Sequence, residues 1–573
     1  MQKTCKSCGE DFEVPKNAIS FYERANSETP SFCSDCRNQN RMNWRNERSL
    51  HKRSCDLCKK NIITIYSPEK PFRVYCNDCF HGDGWDPMSY GLDIDFSKPF
   101  LAQWRELQLK VPRLYAFVFK NYNSDYTNGS AFNKNCYLIF VSDHNEDSLY
   151  SHSIFACKNT VDTLNSSECE FCYDSTTCKK SYRVFSSEDC SNSQDLYFCK
   201  NCVNCHDCIG SANLRNQQYC IWNVQYSKED YLIEKEKLNL KECKNVIAVK
   251  EKAKEFWQKF PVKYIHGLQN VDVTGDYIFN SKNTDNSYES DLLEDSNFIT
   301  YGNKSKNCID GYVVVDNCEF SHEIVSGISL NNCHSCYGVW HGFDIYYSDT
   351  CENSDHLFGC IGLKKKKYCI LNKQYTKEEY EGLVPKIIAH MKQMPYRDSR
   401  GQDFTFGDFF PNEFSPFSYN ETAALENFPL NKAEASDLGY SWHEKEQRNY
   451  DIDIKAENLP ESIDDVNEEI LNKVITCLHH EKNTHGKASC EAVCTEAFKI
   501  TAEELQFYKR FELPIPRICP NCRHYTRLKN KNPRQLWPRK CMKENCQKKF
   551  ETSYSPDSLE IVYCDKCYQL EVY

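Results

Sequence analysis

The chain has 573 residues, 27% of them charged and 13% aromatic, with 36 Cys and a net charge of −11. That length accommodates three or more domains, and the composition excludes a disordered chain. No apolar run of 18 residues occurs and the start MQKTCKSCGE lacks the apolar stretch of a secretory signal, so neither a membrane span nor export is predicted. A cytoplasmic location is expected. There, Cys residues serve as metal ligands or small buried hydrophobes in preference to disulfides.

The charge is unevenly distributed. Residues 1–80 hold 14 Lys and Arg against 10 Asp and Glu, residues 487–573 hold 16 against 11, and the middle holds 41 against 61. A nucleic-acid contact would therefore lie at the ends, and a protein partner would meet the acidic middle.

The chain opens with four Cys pairs: Cys5 and Cys8, Cys33 and Cys36, Cys55 and Cys58, Cys76 and Cys79. Each is C-x2-C, a turn that aims two thiolates at one point, and two such knuckles complete a tetrahedral zinc site. Residues 1–46 and 47–92 are thus predicted to be two zinc modules, followed by a linker over 93–129.

Residues 130–264 and 265–394 are predicted to be duplicated repeats, each ending in a charged helix. Lys158-Asn-Thr-Val-Asp162 matches Lys306-Asn-Cys-Ile-Asp310, Cys169-Glu-Phe171 matches Cys318-Glu-Phe320, and Tyr219-Cys-Ile-Trp-Asn223 matches Tyr368-Cys-Ile-Leu-Asn372. Short apolar runs separated by Asn, Asp and Ser suggest many short strands, and their repetition suggests a β-solenoid, with a β-sandwich as the alternative. The run Cys199-x2-Cys202-x2-Cys205-x2-Cys208 resembles an iron–sulfur cluster motif. Ser354 and Leu357 replace two of these Cys in the second copy. Since leucine can replace a core thiol and not a cluster ligand, stacked buried thiols are expected. Pro385 marks a kink or the true start of the second helical stretch. Residues 395–476 lack periodicity and are expected to wrap the surface as an extended linker, with a short helix over 457–470.

Residues 477–530 and 531–573 repeat the opening. Cys494, Phe498, Phe507, Tyr508, Pro516, Cys519, Cys522, Arg523 and Arg527 stand 486 residues after Cys8, Phe12, Phe21, Tyr22, Pro30, Cys33, Cys36, Arg37 and Arg41. Cys546, Tyr554, Ser555, Pro556, Cys564 and Cys567 stand 488 after Cys58, Tyr66, Ser67, Pro68, Cys76 and Cys79. This internal duplication predicts two further sites, Cys490, Cys494, Cys519, Cys522 and Cys541, Cys546, Cys564, Cys567. At the Cys490 position the sequence leaves four alternatives, Cys477, His479, His480 and His485, just upstream. Four structural Zn²⁺ ions are expected, since four thiolates leave no position for an attacking water.

The run Cys5-Lys-Ser-Cys-Gly, Phe12, Phe21-Tyr22-Glu-Arg, Pro30 and Cys33-Ser-Asp-Cys-Arg37 resembles the short bacterial "probable zinc-ribbon" domain, which is treble-clef-like. The whole layout, including Gly407-Asp-Phe-Phe-Pro-Asn and Ser415-Pro-Phe-Ser-Tyr-Asn-Glu-Thr422, resembles multi-zinc proteins of uncultured small-genome bacteria. The resemblance implies architecture and no activity. The fold class expected is multidomain and mainly β: paired zinc modules at both ends flanking a duplicated Cys-rich solenoid with accessory helices.

If Cys33 and Cys36 open a helix, Arg37, Arg41, Arg45 and Arg48 share one face of it, as do Arg523, Arg527, Lys531 and Arg534 in the second copy. Such stripes suit phosphates, and they equally suit the acidic middle of the same chain. The first expectation is a non-enzymatic protein that binds RNA or DNA through its ends. A protein-interaction scaffold without nucleic acid is the alternative. A glycan-active β-helix enzyme is the third reading, for which no carboxylate pair is apparent, and no nucleophile elbow, phosphate loop or H-E-x-x-H occurs.

Overall fold

The computed structural model describes residues 1–24, 28–315, 317–325, 327–336, 338–445, 449–484 and 490–573. Its centre is a β-solenoid in two halves. The first runs from Val118–Phe119 to Gln218–Ile221, and the second from Gly267–Leu268 to Lys367–Ile370. The first coil therefore begins inside the stretch expected to be a linker. In that stretch the helix Phe100–Lys110 also buries Trp104 completely.

Strands pair in parallel with partners 12 residues on, as in His206 with Gln218 and Trp340 with Glu352. Four ladders run along the first half: Phe140 with His152, Asp143 with Phe155, Glu146 with Lys158, and Leu149 with Val161. They are three residues apart, so one coil of 12 residues has four sides of three. Every third residue takes a left-handed backbone, with φ 53° at Asn135, 50° at Asn159 and 52° at Asn201. Asn tolerates that conformation better than most residues, which accounts for much of the Asn in these repeats. The inward period is consequently three, where strand alternation would give two.

One residue per side points into a narrow interior, and only small side chains fit in number. The interior thiols and hydroxyls are satisfied by the backbone. Ser187 Oγ accepts from Cys199 N at 2.9 Å, and Ser193 Oγ accepts from Cys205 N at 3.1 Å. Cys199 Sγ donates to Tyr197 O at 3.4 Å and Cys205 Sγ to Val203 O at 3.3 Å. Cys199, Cys202, Cys205 and Cys208 are the four inward residues of a single coil, each at most 1% exposed. Burial pushes the Cys199 thiol well above its usual pKa. In register, Ser354 and Leu357 stand where Cys205 and Cys208 stand, since Leu357 pairs with Cys369 as Cys208 pairs with Cys220. We expect Cys205→Ser with Cys208→Leu to cost no more than about 3 kcal/mol in urea unfolding. A larger loss would mean those thiols do more than pack.

Each half closes with a hairpin, Ile221 against Val224 and Ile370 against Lys373, and then enters a helix. Ser227 caps Lys228–Lys237 by accepting from Asp230 N, and a Thr376–Glu379 capping box opens Lys377–Gln393. Pro385 lies inside the second helix. A further helix, Cys243–Trp257, follows the first.

The segment after the second helix is buried over 404–425 and runs over the surface only beyond it, where the described residues of 429–473 are largely exposed. Phe404, Phe406, Phe409, Phe410, Phe414 and Phe417 are buried, and Phe410 stacks on Trp104 at 4.3 Å and on Trp44 at 4.9 Å. Aromatic burial, and not periodicity, places this stretch between the N-terminal modules and the second half of the solenoid. The short helix expected over 457–470 is present only as single 3₁₀ turns, Ala456–Asn458, Ile463–Asp465 and Glu468–Asn472.

Candidate metal centres and the docking of their helices

Four groups of four thiols can each hold a metal ion: Cys5, Cys8, Cys33, Cys36; Cys55, Cys58, Cys76, Cys79; Cys477, Cys494, Cys519, Cys522; and Cys541, Cys546, Cys564, Cys567. In each, one pair flanks the tip of a two-stranded antiparallel hairpin, such as Gln2–Thr4 with Asp11–Glu13 or His51–Ser54 with Asn61–Thr64. The other pair opens a helix. Cys33, Cys76, Cys519 and Cys564 are the N-cap residues of Ser34–Asn43, Asn77–His81, Pro520–Leu528 and Asp565–Val572. The N-terminal ends of those helices favour negative charge, as thiolates require.

The donor set fits zinc. A tetrahedron with metal–sulfur bonds of ~2.3 Å has edges of about 3.8 Å. The sulfur pairs Cys8–Cys33 and Cys58–Cys76 are 3.8 Å apart, Cys477–Cys522 3.7 Å, Cys494–Cys519 3.9 Å and Cys546–Cys564 3.9 Å. One bond recurs in all four modules. The amide of the helix-opening Cys donates to the sulfur of the first: Cys33 to Cys5 at 3.2 Å, and Cys76 to Cys55, Cys519 to Cys477 and Cys564 to Cys541 at 3.3 Å. Burial raises the pKa of Cys55, yet the amides of Cys76, Cys58 and Leu57 bring it down to about 6.

The third module departs from the expected ligand set. Its first thiol is Cys477, one of the alternatives the sequence left open, and not Cys490. Strand register decides the equivalence. Lys3 faces Phe12 two residues before Cys5, and Ile475 faces Phe498 two residues before Cys477. The dipeptides Thr4-Cys5 and Thr476-Cys477 carried this signal, but an insertion hid it, with 16 residues between Cys477 and Cys494 where two separate Cys5 and Cys8. Cys490 is buried and lies 3.5 Å from His479 Nδ1. His480 ends the first turn after Cys477. His485 lies outside the described residues.

The basic stripes also depart from expectation. Only Arg37 and Arg41 lie on the first helix, which stops at Asn43 with the buried Trp44 as its C-cap, and only Arg523 and Arg527 lie on its counterpart. All four are nearly buried, and they meet the solenoid. Arg37 Nη2 and Arg41 Nη1 reach Asp310 Oδ1 at 3.0 and 3.4 Å, and Tyr22 Oη donates to Asp310 Oδ2 at 3.0 Å. Arg523 and Arg527 reach Asp162 at 2.6 and 2.9 Å. Burial opposes ionisation of Asp310, but Arg37, Arg41 and His322 hold its carboxyl below the usual range.

Asp162 and Asp310 are equivalent residues of the two repeats. The N-terminal module therefore docks on the second solenoid half, and its C-terminal copy docks on the first. The remaining cations are also engaged. Arg45 pairs with Glu47 at 3.2 Å, Arg48 donates to Asn521 at 3.5 Å, and Lys531 and Arg534 both pair with Glu289. The Arg48–Asn521 contact joins the two ends of the chain. Modules two and four attach by strand addition, Val74–Tyr75 beside Arg113–Leu114 and Ile561–Tyr563 beside Pro261–Lys263, just ahead of the two halves.

Beside Asp310, burial and the Asp310 charge push the Glu323 carboxyl up to about 8 against the pull of Arg41. Its folded pKa thus exceeds the usual carboxylate value, so the stability it confers is complete below pH ~4.5 and is lost as pH rises to about 8. That loss is up to about 1.4 kcal/mol per pH unit. Glu323→Gln should flatten thermal stability between pH 6 and 8.5, and an unchanged slope would remove Glu323 as its source.

No protein-family model matches the chain, and none of the curated proteins compared with it matches. Among the described residues, no helix is long and apolar enough to cross a membrane.

Proposed function

We propose that the protein is a non-enzymatic scaffold in which four structural zinc ions, held in zinc-ribbon-like modules, clamp a double β-solenoid into one body for a protein partner. The observation that carries this reading is the burial of the arginine pairs. Arg37 and Arg41 on Asp310, and Arg523 and Arg527 on Asp162, are spent on internal docking. Buried guanidiniums cannot reach a phosphate backbone without breaking those pairs. With the stripe cations paired internally and a net charge of −11 on the chain, a basic protein surface is the favoured partner. Filled tetrathiolate shells support a structural role for the metal.

The test is filter binding of the zinc-loaded chain to labelled single-stranded RNA, duplex RNA and DNA across a salt series, with metal analysis of the same sample. At least four zinc ions per chain and no retention at physiological salt are expected. Tight binding that weakens steeply with salt would restore the nucleic-acid reading.

A further inference from the structure

The insertion in the third module adds ligand-type side chains that its three sister modules lack. His479 Nδ1, Cys490 Sγ and Cys522 Sγ lie within 4.8 Å of one another, and Cys522 also belongs to the group with Cys477, Cys494 and Cys519. Cys490 and Cys522 are buried and His479 is half-buried. We propose that this module holds a second ion of the zinc class, bound by His479 and Cys490 and bridged to the first ion through the Cys522 thiolate.

Charge balance favours it. One divalent ion among four thiolates leaves two negative charges, and an ionised Cys490 beside them would add a third in a buried setting, which is costly. A second divalent ion brings five thiolates and two ions to one negative charge. Thiolate and imidazole donors select zinc, cadmium or cobalt over magnesium or calcium. Three protein donors leave the fourth position of a tetrahedral ion to a ligand from outside, so this ion exchanges more readily than its enclosed neighbour. The geometry also explains the placement of Cys490. It lies inside the insertion, yet its side chain converges on the Cys522 sulfur of the first site.

The proposal rests on the tetrathiolate reading of the modules, and metal counting separates the two. The full chain and its His479→Ala and Cys490→Ser variants are loaded with zinc, desalted and measured for zinc per chain, with thermal unfolding as the check on folding. Five ions in the parent and four in each variant are expected. In the cadmium-loaded parent, ¹¹³Cd NMR should show two of five resonances split by coupling through a shared sulfur, and Cys490→Ser should abolish the splitting. Four ions in all three proteins would overturn the second site and leave the tetrathiolate centres intact. Five ions in Cys490→Ser would overturn the ligand assignment. Fewer than four in the folded parent would overturn the tetrathiolate reading itself. If a variant fails to fold, the coupling in the parent still decides the bridge.

Discussion

Asp162→Ala and Asp310→Ala are each expected to lower the stability of the chain by about 3–5 kcal/mol, because each strands two buried guanidiniums without their shared carboxylate. Asp310 is fully buried, as is Arg41, and Arg37 is 6% exposed. Water cannot replace the lost partner unless the module lifts away. Lifting would also separate Phe21 from Phe320, 5.0 Å apart, and Tyr22 from His322, 5.1 Å apart. The two substitutions should act on opposite ends of the chain. Asp310→Ala should expose the N-terminal module to proteolysis, and Asp162→Ala the C-terminal copy. Asn at either position keeps the volume but not the charge, and should recover little. The quadruple change Asp310→Leu, Arg37→Met, Arg41→Met, Glu323→Gln removes the buried arginines with both carboxylates they face and should recover at least half of the loss. Denaturant unfolding of the parent and these five variants is the measurement. A loss below about 1 kcal/mol in the alanine variants would place the contact among solvent-screened surface pairs.

The metal sites and the repeat architecture could be read from the sequence because duplication prints the same constraint twice. Cys8 and Cys494, or Asp162 and Asp310, keep their register while the residues around them change. The solenoid itself was legible in its Cys, Ser and Asn repetition. Its period of three was not, because Asn at a left-handed corner and Asn at an ordinary turn look alike in sequence. Cys477 was hidden by an insertion that breaks the C-x2-C spacing. The arginine stripes show what sequence alone cannot decide. A cation row on a helix suits phosphate and carboxylate equally, and the choice is made by what packs against it. Here the carboxylates lie 273 residues away in the chain for Arg37 and 361 away for Arg523. The aromatic segment around Phe410 was misplaced for the same reason, since its partners Trp44 and Trp104 belong to distant elements.

Metal removal is expected to unfold the four modules and spare the solenoid, giving two separable transitions in place of one. Each module has only a short hairpin and one to three short helices, from Asp565–Val572 alone beside Trp537–Lys540 and Lys549–Thr552 to Leu478–Glu481, Ala502–Arg510 and Pro520–Leu528 in the third. So little buried area cannot hold a fold unaided, and a structural zinc contributes on the order of 10 kcal/mol to such a unit. The solenoid needs no metal. Its coils are joined by continuous parallel ladders, and its interior hydroxyls and thiols bond its own backbone. Repeated coils contact mainly their neighbours, so they can stay ordered while the ends melt. Asp162 and Asp310 then pass from buried partners of arginine to hydrated carboxylates, which limits the cost to the coils beneath. Hydrogen exchange of the full chain before and after chelation would resolve this. Amides at Ser34–Asn43 and Pro520–Leu528 should lose protection by several orders of magnitude, and those at Leu164–Ser167 and His206–Ile209 should keep theirs. Simultaneous loss at all four would show that zinc, through the crossed arginine contacts, holds the entire body as one cooperative unit. Unchanged exchange in the metal-free chain would show that the thiol groups fold without an ion and would end the structural role proposed for it.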